Sequence, residues 1–205
     1  HVMLYELAEG TRAYPMITSE GTDPLIGWGA LSGLAADPET AGKLYAISDS
    51  VYGMMPRIYT IDATQKPAKI TAALDITRGG DVAQLLDLEG ITTDGKGGFW
   101  LASEGRSDKL IPHALYHVND KGEIKEQVAL PEALLDNEIR FGFEGIAMAE
   151  GKMVVGMFHA ARIEFLTLNA ARDGVNASTV ALQTHIPVVA METDRDGNIY
   201  YVDTA

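Results

Sequence analysis

A two-strand pattern that returns about every fifty residues constrains this chain more than anything in its composition. It is plainest in DLEGITTDGKGGFWLASEG (Asp87 to Gly105), where two β-prone runs, LEGITT and FWLAS, flank the turn residues DGKGG. Glycine reaches positive φ without strain and aspartate bonds its own backbone, so the chain reverses easily there. The flanks are of strand length and rich in β-branched and aromatic residues. The same plan occurs in LSGLAADPETAGKLYAISDS (Leu31 to Ser50), turning between Asp37 and Gly42, and in FEGIAMAEGKMVVGMFHA (Phe143 to Ala160), turning at Ala149 to Lys152. A fourth copy, VVAMETDRDGNIYYVDTA (Val188 to Ala205), turns at Asp194 to Asn198. Gly33, Gly90, Gly145 and Met191 mark the period.

Each of the first three hairpins is followed by a third run, RIYTIDA, ALYHVND or RIEFLTLN, and then a fourth, KITAALDI, EIKEQVALP or STVALQTHIP. Four strands in about fifty residues fit the blade of a β-propeller. A β-sandwich also strings short strands between turns, but has no reason to repeat a hairpin at fixed spacing. We therefore expect an all-β propeller with four-stranded blades, a single domain or fragment over residues 1–205, with repeats near 31–76, 88–131 and 143–187 and a partial one at 188–205. That number of blades suggests an incomplete set from a larger ring of about six, within the range such rings adopt. A closed four-bladed ring is the alternative, and needs residues 1–12 to complete the last blade. PEALLDNE (Pro131 to Glu138), with proline at the first helical position, predicts a short connecting helix.

The chain has 205 residues, 46% of them hydrophobic, which suffices for one buried core. Its apolar runs are far shorter than the roughly 18 to 20 residues of a membrane helix, so no span is expected. The opening HVMLYELAEG lacks the basic start and long apolar stretch of a signal peptide, as expected if a leader has been removed or the chain is an internal piece. With no cysteine, disulfides and thiolate metal sites are excluded. A net charge of −13, from 29 acidic and 16 basic residues, and the lack of a basic cluster argue against nucleic acid as a partner.

Antiparallel strands within a blade bring the start of the first strand and the end of the second to one face. The residues at the starts are Ser32, Glu89, Glu144 and, in the fourth repeat, Ala190 or Glu192. At the ends are Asp49, Ser103-Glu104, Phe158-His159 and Asp203. Glu89, Glu144, Asp49, Glu104 and Asp203 are thus expected at one mouth of the channel. These acids either cap turns and bond backbone amides, or hold a hard cation such as Ca²⁺, which takes six to eight oxygen ligands. Converging carboxylates repel unless a cation, a shared proton or arginines intervene. His159 and His113 fall in the same class of loop, His159 more directly after its strand. Arg106 and Arg140 flank the acidic segments, as salt-bridge partners of the glutamates or as forks for a phosphate or carboxylate. Ser103 lacks a nucleophile-elbow setting, and the Gly-Gly pairs at 79 and 97 lack the strand-to-helix context of a phosphate loop.

Taken in order, LSGLAADPETAGKLYAISDS, PRIYTID, DLEGITTDGKGGFWLASEG and FGFEGIAMAEGK resemble the phytase-like β-propeller family described by its esterase-like activity, over roughly residues 29–152. The resemblance implies a bacterial, periplasmic or secreted propeller related to the calcium-dependent phytases, with Glu89, Glu104 and Glu144 at the family's acidic motif positions. It does not fix phytate as the substrate. The third repeat departs from it, with Phe158-His159 where the second has Ser103-Glu104.

These readings together suggest a metal-dependent hydrolase of phosphate or related esters. Asp49, Glu89, Glu104 and Glu144 would hold Ca²⁺, and Glu104, Glu144, His159, Arg106 and Arg140 would act on a small anionic ester at the channel mouth. A non-catalytic, calcium-stabilised propeller that binds a protein or cell-envelope ligand is the alternative, and a lactonase-like hydrolase is another. The remaining blades of the same protein, or a protein partner, would complete the surroundings of the channel.

Overall fold

The computed structural model describes residues 16–49, 54–130, 143–149, 152–157, 162–183, 188–193 and 198–203. The first blade holds β2 (Leu31–Ala36), β3 (Lys43–Ser48), β4 (Arg57–Asp62) and β5 (Ala68–Asp75) in antiparallel order, with β1 (Ile17–Thr18) added parallel to β5 at its outer edge. A two-stranded ribbon, β6 (Thr77–Arg78) and β7 (Asp81–Val82), leads to the second blade. That blade is β8 (Leu88–Thr93), β9 (Phe99–Ser103), β10 (Ala114–Val118) and β11 (Ile124–Ala129). The third is β12 (Phe143–Ala149), β13 (Lys152–Met157), β14 (Arg162–Leu168) and β15 (Val175–Gln183), and β16 (Val188–Thr193) with β17 (Ile199–Asp203) begins a fourth. The only helical element described is a 3-10 turn, Ser107–Lys109; the segment expected to form a helix, 131–138, lies outside the described residues. No described helix is long and apolar enough to cross a membrane.

The strands are apolar at both parities because each blade is covered on both sides. Side chains of successive residues point to opposite faces. In β3, Ile47 joins the core between the first and second blades, whereas Ala46 faces the other way. In β9, Phe99 and Leu101 turn to the first blade and Trp100 and Ala102 to the third. In β13, Met153 and Val155 face the second blade and Val154 faces Met191 of the fourth. The far face of the first blade, around Tyr59, Ile61 and Ile70, is covered by Ile17, Ile26 and Trp28. This face-to-face succession of blades is a β-propeller arrangement. β2 packs beside β8, β8 beside β12 and β12 beside β16, with no comparable packing of β16 against β2 among the described residues. The blades thus form an open arc around a cavity of about 610 Å³, lined by Leu31, Leu34, Leu44, Met191 and Tyr200.

Every first strand carries the same irregularity. Leu88 pairs with Ser103 but Gly90 with Ala102, so Glu89 is an extra residue on β8. Ser32 in β2, Glu144 in β12 and Val189 in β16 occupy the same bulged position. The position equivalent to Glu89 in the fourth blade is therefore Val189, neither Ala190 nor Glu192. A bulge twists a strand and re-aims the extra side chain. The glycines that follow have a separate role. A Cβ on Gly90 would lie 2.9 Å from the backbone nitrogen of Ile146, and one on Gly33 3.1 Å from the Glu89 carbonyl oxygen. Only glycine lets the innermost strands of adjacent blades come this close.

Gly90→Ala is expected to destabilise the protein by about 1 to 3 kcal/mol, because the methyl meets backbone that cannot swing aside. Urea denaturation of the two proteins measures the difference. An unchanged midpoint would mean that the inner strands have room to separate.

Candidate functional site

The bulges place Glu89 and Glu144 at the starts of neighbouring inner strands. The turns between blades supply the remaining acids. Asp49 follows β3, where its backbone amide donates to the Ala30 carbonyl at 2.9 Å. Asp87 directly precedes β8: its amide donates to Ser103 Oγ at 3.2 Å, and its carbonyl accepts from the Glu104 amide at 2.9 Å. The start of β8 and the end of β9 are thus tied together, which brings Asp87 and Glu104 to the same end of the hairpin. In the first blade the bulged position holds Ser32, whose hydroxyl donates to the Leu88 carbonyl at 2.6 Å. That bond fastens β2 to β8 beside Glu89.

One oxygen from each of the Asp49, Asp87 and Glu89 carboxylates falls within 4.8 Å of the others. Asp87 is 1% exposed, while Asp49 and Glu89 are partly open. At that separation two charges repel by about 3.5 kcal/mol if the effective dielectric constant is near 20. Burial first, then the charges of Glu144, Asp49, Glu104 and Asp87, push the Glu89 carboxyl up to about 9. Without a cation, the cluster therefore relieves its repulsion by keeping a proton on Glu89 near neutral pH. Glu104, 2% exposed, and Glu144 lie outside the converging triad but within reach of its field.

Arg106 is also close to this field, yet its fork is turned aside. Nη2 and Nε contact the Asp108 carboxylate at 3.1 and 3.4 Å, and Asp108, followed by Asp87 and Glu104, raises the pKa of the guanidinium. The salt-bridge partner of Arg106 is thus Asp108 rather than a neighbouring glutamate. His113 packs against Gly105, and burial pushes its imidazole below the ordinary range, an effect the Glu104 backbone carbonyl opposes. Arg140 and His159 lie outside the described residues, and Asp203 is described only as part of β17.

Of the expected residues, the fold brings Asp49, Glu89, Glu104 and Glu144 to one place. Asp87 is the member that sequence reading missed. Its signal was present in DLEG, where an acid stands two residues before Glu89 at the beginning of a strand. Strand periodicity treats such a flank as turn, and nothing in the sequence announces that the backbone tie to Ser103 and Glu104 will bury it.

A proton held by Glu89 makes stability depend on pH. The folded chain keeps it up to about 9 while the unfolded chain releases it near 4.5, so this contribution to stability is present below 4.5 and is lost as pH rises through 9. The melting temperature of EDTA-treated protein should accordingly fall more steeply between those limits than that of Glu89→Gln, which has no proton to lose. Parallel slopes in a pH series would show that Glu89 ionises normally.

Comparison with known proteins bears on family and fold. A phytase-like family described as "Esterase-like activity of phytase" matches residues 26–188, and the chain belongs to that family. No curated protein matches the sequence. Among solved structures, a protein of unknown function from Bacteroides caccae aligns with a TM-score of 0.51 at 13% identity, over 82% of this chain and 51% of its own. Myxococcus xanthus glutaminyl cyclase aligns with a TM-score of 0.50 at 14% identity, over 85% of this chain and 68% of its own. A candidate gluconolactonase gives 0.51 and 15%, over 78% and 53%. These likenesses concern the fold alone, and this chain spans about half the length of the first.

Proposed function

We propose that this member of the phytase-like family is a calcium-dependent hydrolase of phosphate or related esters, acting at the mouth formed by the starts of β8 and β12. The observation that carries this reading is the convergence of Asp49, Asp87 and Glu89. All three offer carboxylate oxygens, the donors a hard cation prefers. Opposite ligands on Ca²⁺ stand about 4.6 to 5.2 Å apart, twice its oxygen distance, a span that accommodates the 4.8 Å limit of the triad. We assign the cation to these three residues, with Glu104 and Glu144 shaping the field around it. A bound cation would offset the negative mouth, attract an anionic ester and lower the pKa of a water molecule beside it.

The chain's own groups would do the rest. Glu89 would surrender its proton on loading. Arg106 would turn its guanidinium from Asp108 toward the ester and stabilise charge developing on the leaving oxygen. Glu144, at the bulge of β12, would orient the attacking water from the channel side. Arg140 and His159 belong to the same proposal as further groups at this mouth. The substrate would be a small anionic ester, and the protein would work in the periplasm or outside the cell, where calcium is available to a site of modest affinity.

Calorimetric titration with Ca²⁺ at pH 7 tests the site. Wild-type protein should bind and release protons, seen as a binding heat that varies with the ionisation enthalpy of the buffer. Asp87→Asn and Glu89→Gln should bind at least about tenfold more weakly, the lower end of the range for lost support at a metal site. Turnover on a panel of phosphate monoesters and diesters should disappear with EDTA. It should also fall about 100-fold or more in Glu144→Gln at saturating calcium. Calcium that raises the melting temperature with no turnover on any of these phosphate esters would instead identify a cation site that serves as a non-catalytic binding platform.

A further inference from the structure

A second chemical arrangement lies next to the carboxylates, in the loop that leaves β9. Arg106 and Ile111 exchange backbone hydrogen bonds of 2.9 and 3.0 Å, closing the chain around the turn Ser107–Lys109. Leu110 then takes a positive φ of 59° and Gly105 one of 71°, which folds His113 back over Gly105. A Cβ at Gly105 would lie 2.6 Å from His113 Cγ and from its backbone nitrogen, so the imidazole rests directly on bare backbone. Nδ1 is buried, and the Glu104 backbone acts on the ring to favour its protonated form. The other nitrogen, Nε2, is 3.2 Å from the hydroxyl of Ser107, an exposed residue.

An accessible hydroxyl within hydrogen-bond reach of an imidazole whose other nitrogen is buried is the arrangement of an activated nucleophile. Catalytic hydrogen bonds before substrate binds are commonly long, so the 3.2 Å contact between Ser107 and Nε2 fits the role. A Ser–His contact confined to a loose loop would leave the ring free to rotate. Here the packing on Gly105 fixes it with one nitrogen inward and the other toward Ser107.

We propose that Ser107 and His113 form a nucleophilic dyad that cleaves small carboxylic esters without a metal ion. Ser107 Oγ attacks the ester carbonyl carbon and gives its proton to His113 Nε2. The carbon–alkoxide bond breaks, and the alkoxide leaves with that proton as an alcohol. The resulting acyl-Ser107 is attacked by water, which transfers a proton to Nε2. Collapse returns that proton to Ser107 Oγ and releases the carboxylic acid. This activity is additional to the cation-dependent hydrolysis proposed above, and neither needs the other.

The test uses the whole protein stripped with EDTA, so that its outcome is independent of the cation site. A fluorophosphonate probe should form one adduct, located on Ser107 by peptide mass spectrometry, and none at that position in Ser107→Ala. His113→Gln should slow labelling, and the cleavage of p-nitrophenyl acetate, by at least about 100-fold. Because His113→Gln disturbs the packing on Gly105, Ser107→Cys supplies a second measurement with the ring left in place. Its thiol, paired with the imidazole, should be alkylated by iodoacetamide at pH 6.5 at least about tenfold faster than free cysteine, whose ordinary pKa is about 8.5. No adduct on Ser107, labelling undiminished in a folded His113→Gln, or a Ser107→Cys thiol no faster than free cysteine would each overturn the dyad.

Discussion

The closeness of the innermost strands governs everything else in this molecule. β2, β8 and β12 approach until a single methyl would strike backbone, at Gly33 against Glu89 and at Gly90 against Gly145 and Ile146. The Ser32 hydroxyl adds a direct bond from the first blade to the Leu88 carbonyl of the second. With that spacing fixed, the side chain just before each glycine has little choice of direction. It is also the extra residue of a bulge, and Ser32, Glu89 and Glu144 all line the central cavity. The Glu-Gly pairs therefore join a packing requirement to a chemical one. Glycine permits the approach, and the approach gathers the carboxylates.

That gathering has an electrostatic cost which the rest of the blade must sustain. Asp87 and Glu104 are almost wholly buried, and their backbones are tied to each other and to Ser103. Two apolar interfaces, one around Ile47, Leu88 and Leu101 and the other around Trp100, Val128 and Val155, clamp the second blade on both faces. The acids cannot relax by separating, so the strain appears as the proton retained by Glu89. A rigid scaffold that holds like charges together is how a site prepares for a cation: the cation then displaces a proton instead of reorganising the chain.

The architecture was legible because its signals are local and repeated. Turn residues at Asp37 to Gly42 and Asp94 to Gly98, with β-prone runs on either side, define hairpins without knowledge of the tertiary fold, and their recurrence defines blades. Even so, β15 begins at Val175, three residues before the run assigned to it, because its pairing with β14 starts at Leu168↔Val175. The site was legible to the extent that topology alone brings Glu89, Glu104 and Glu144 to one end. Asp87 and the Ser107–His113 contact were not legible. The first depends on a backbone tie formed across a hairpin, and the second on a positive φ at Gly105 and Leu110 that turns a loop back on itself. Both are set by backbone geometry that residue type alone does not reveal.

Repetition of the backbone and variation of the side chain explain where the chemistry sits. The same bulge presents Ser32, Glu89, Glu144 and Val189 in successive blades. In the first blade the position is used for a hydrogen bond between blades, in the second and third for carboxylates, and in the fourth an apolar residue occupies it. A site built in this way is confined to an arc of the ring rather than spread around it. Its centre falls at the second blade, which alone contributes an acid before its first strand, one at the bulge and one after its second strand: Asp87, Glu89 and Glu104. The neighbouring blades contribute Asp49 and Glu144 from either side, so the charge gathers at a blade that is packed on both faces.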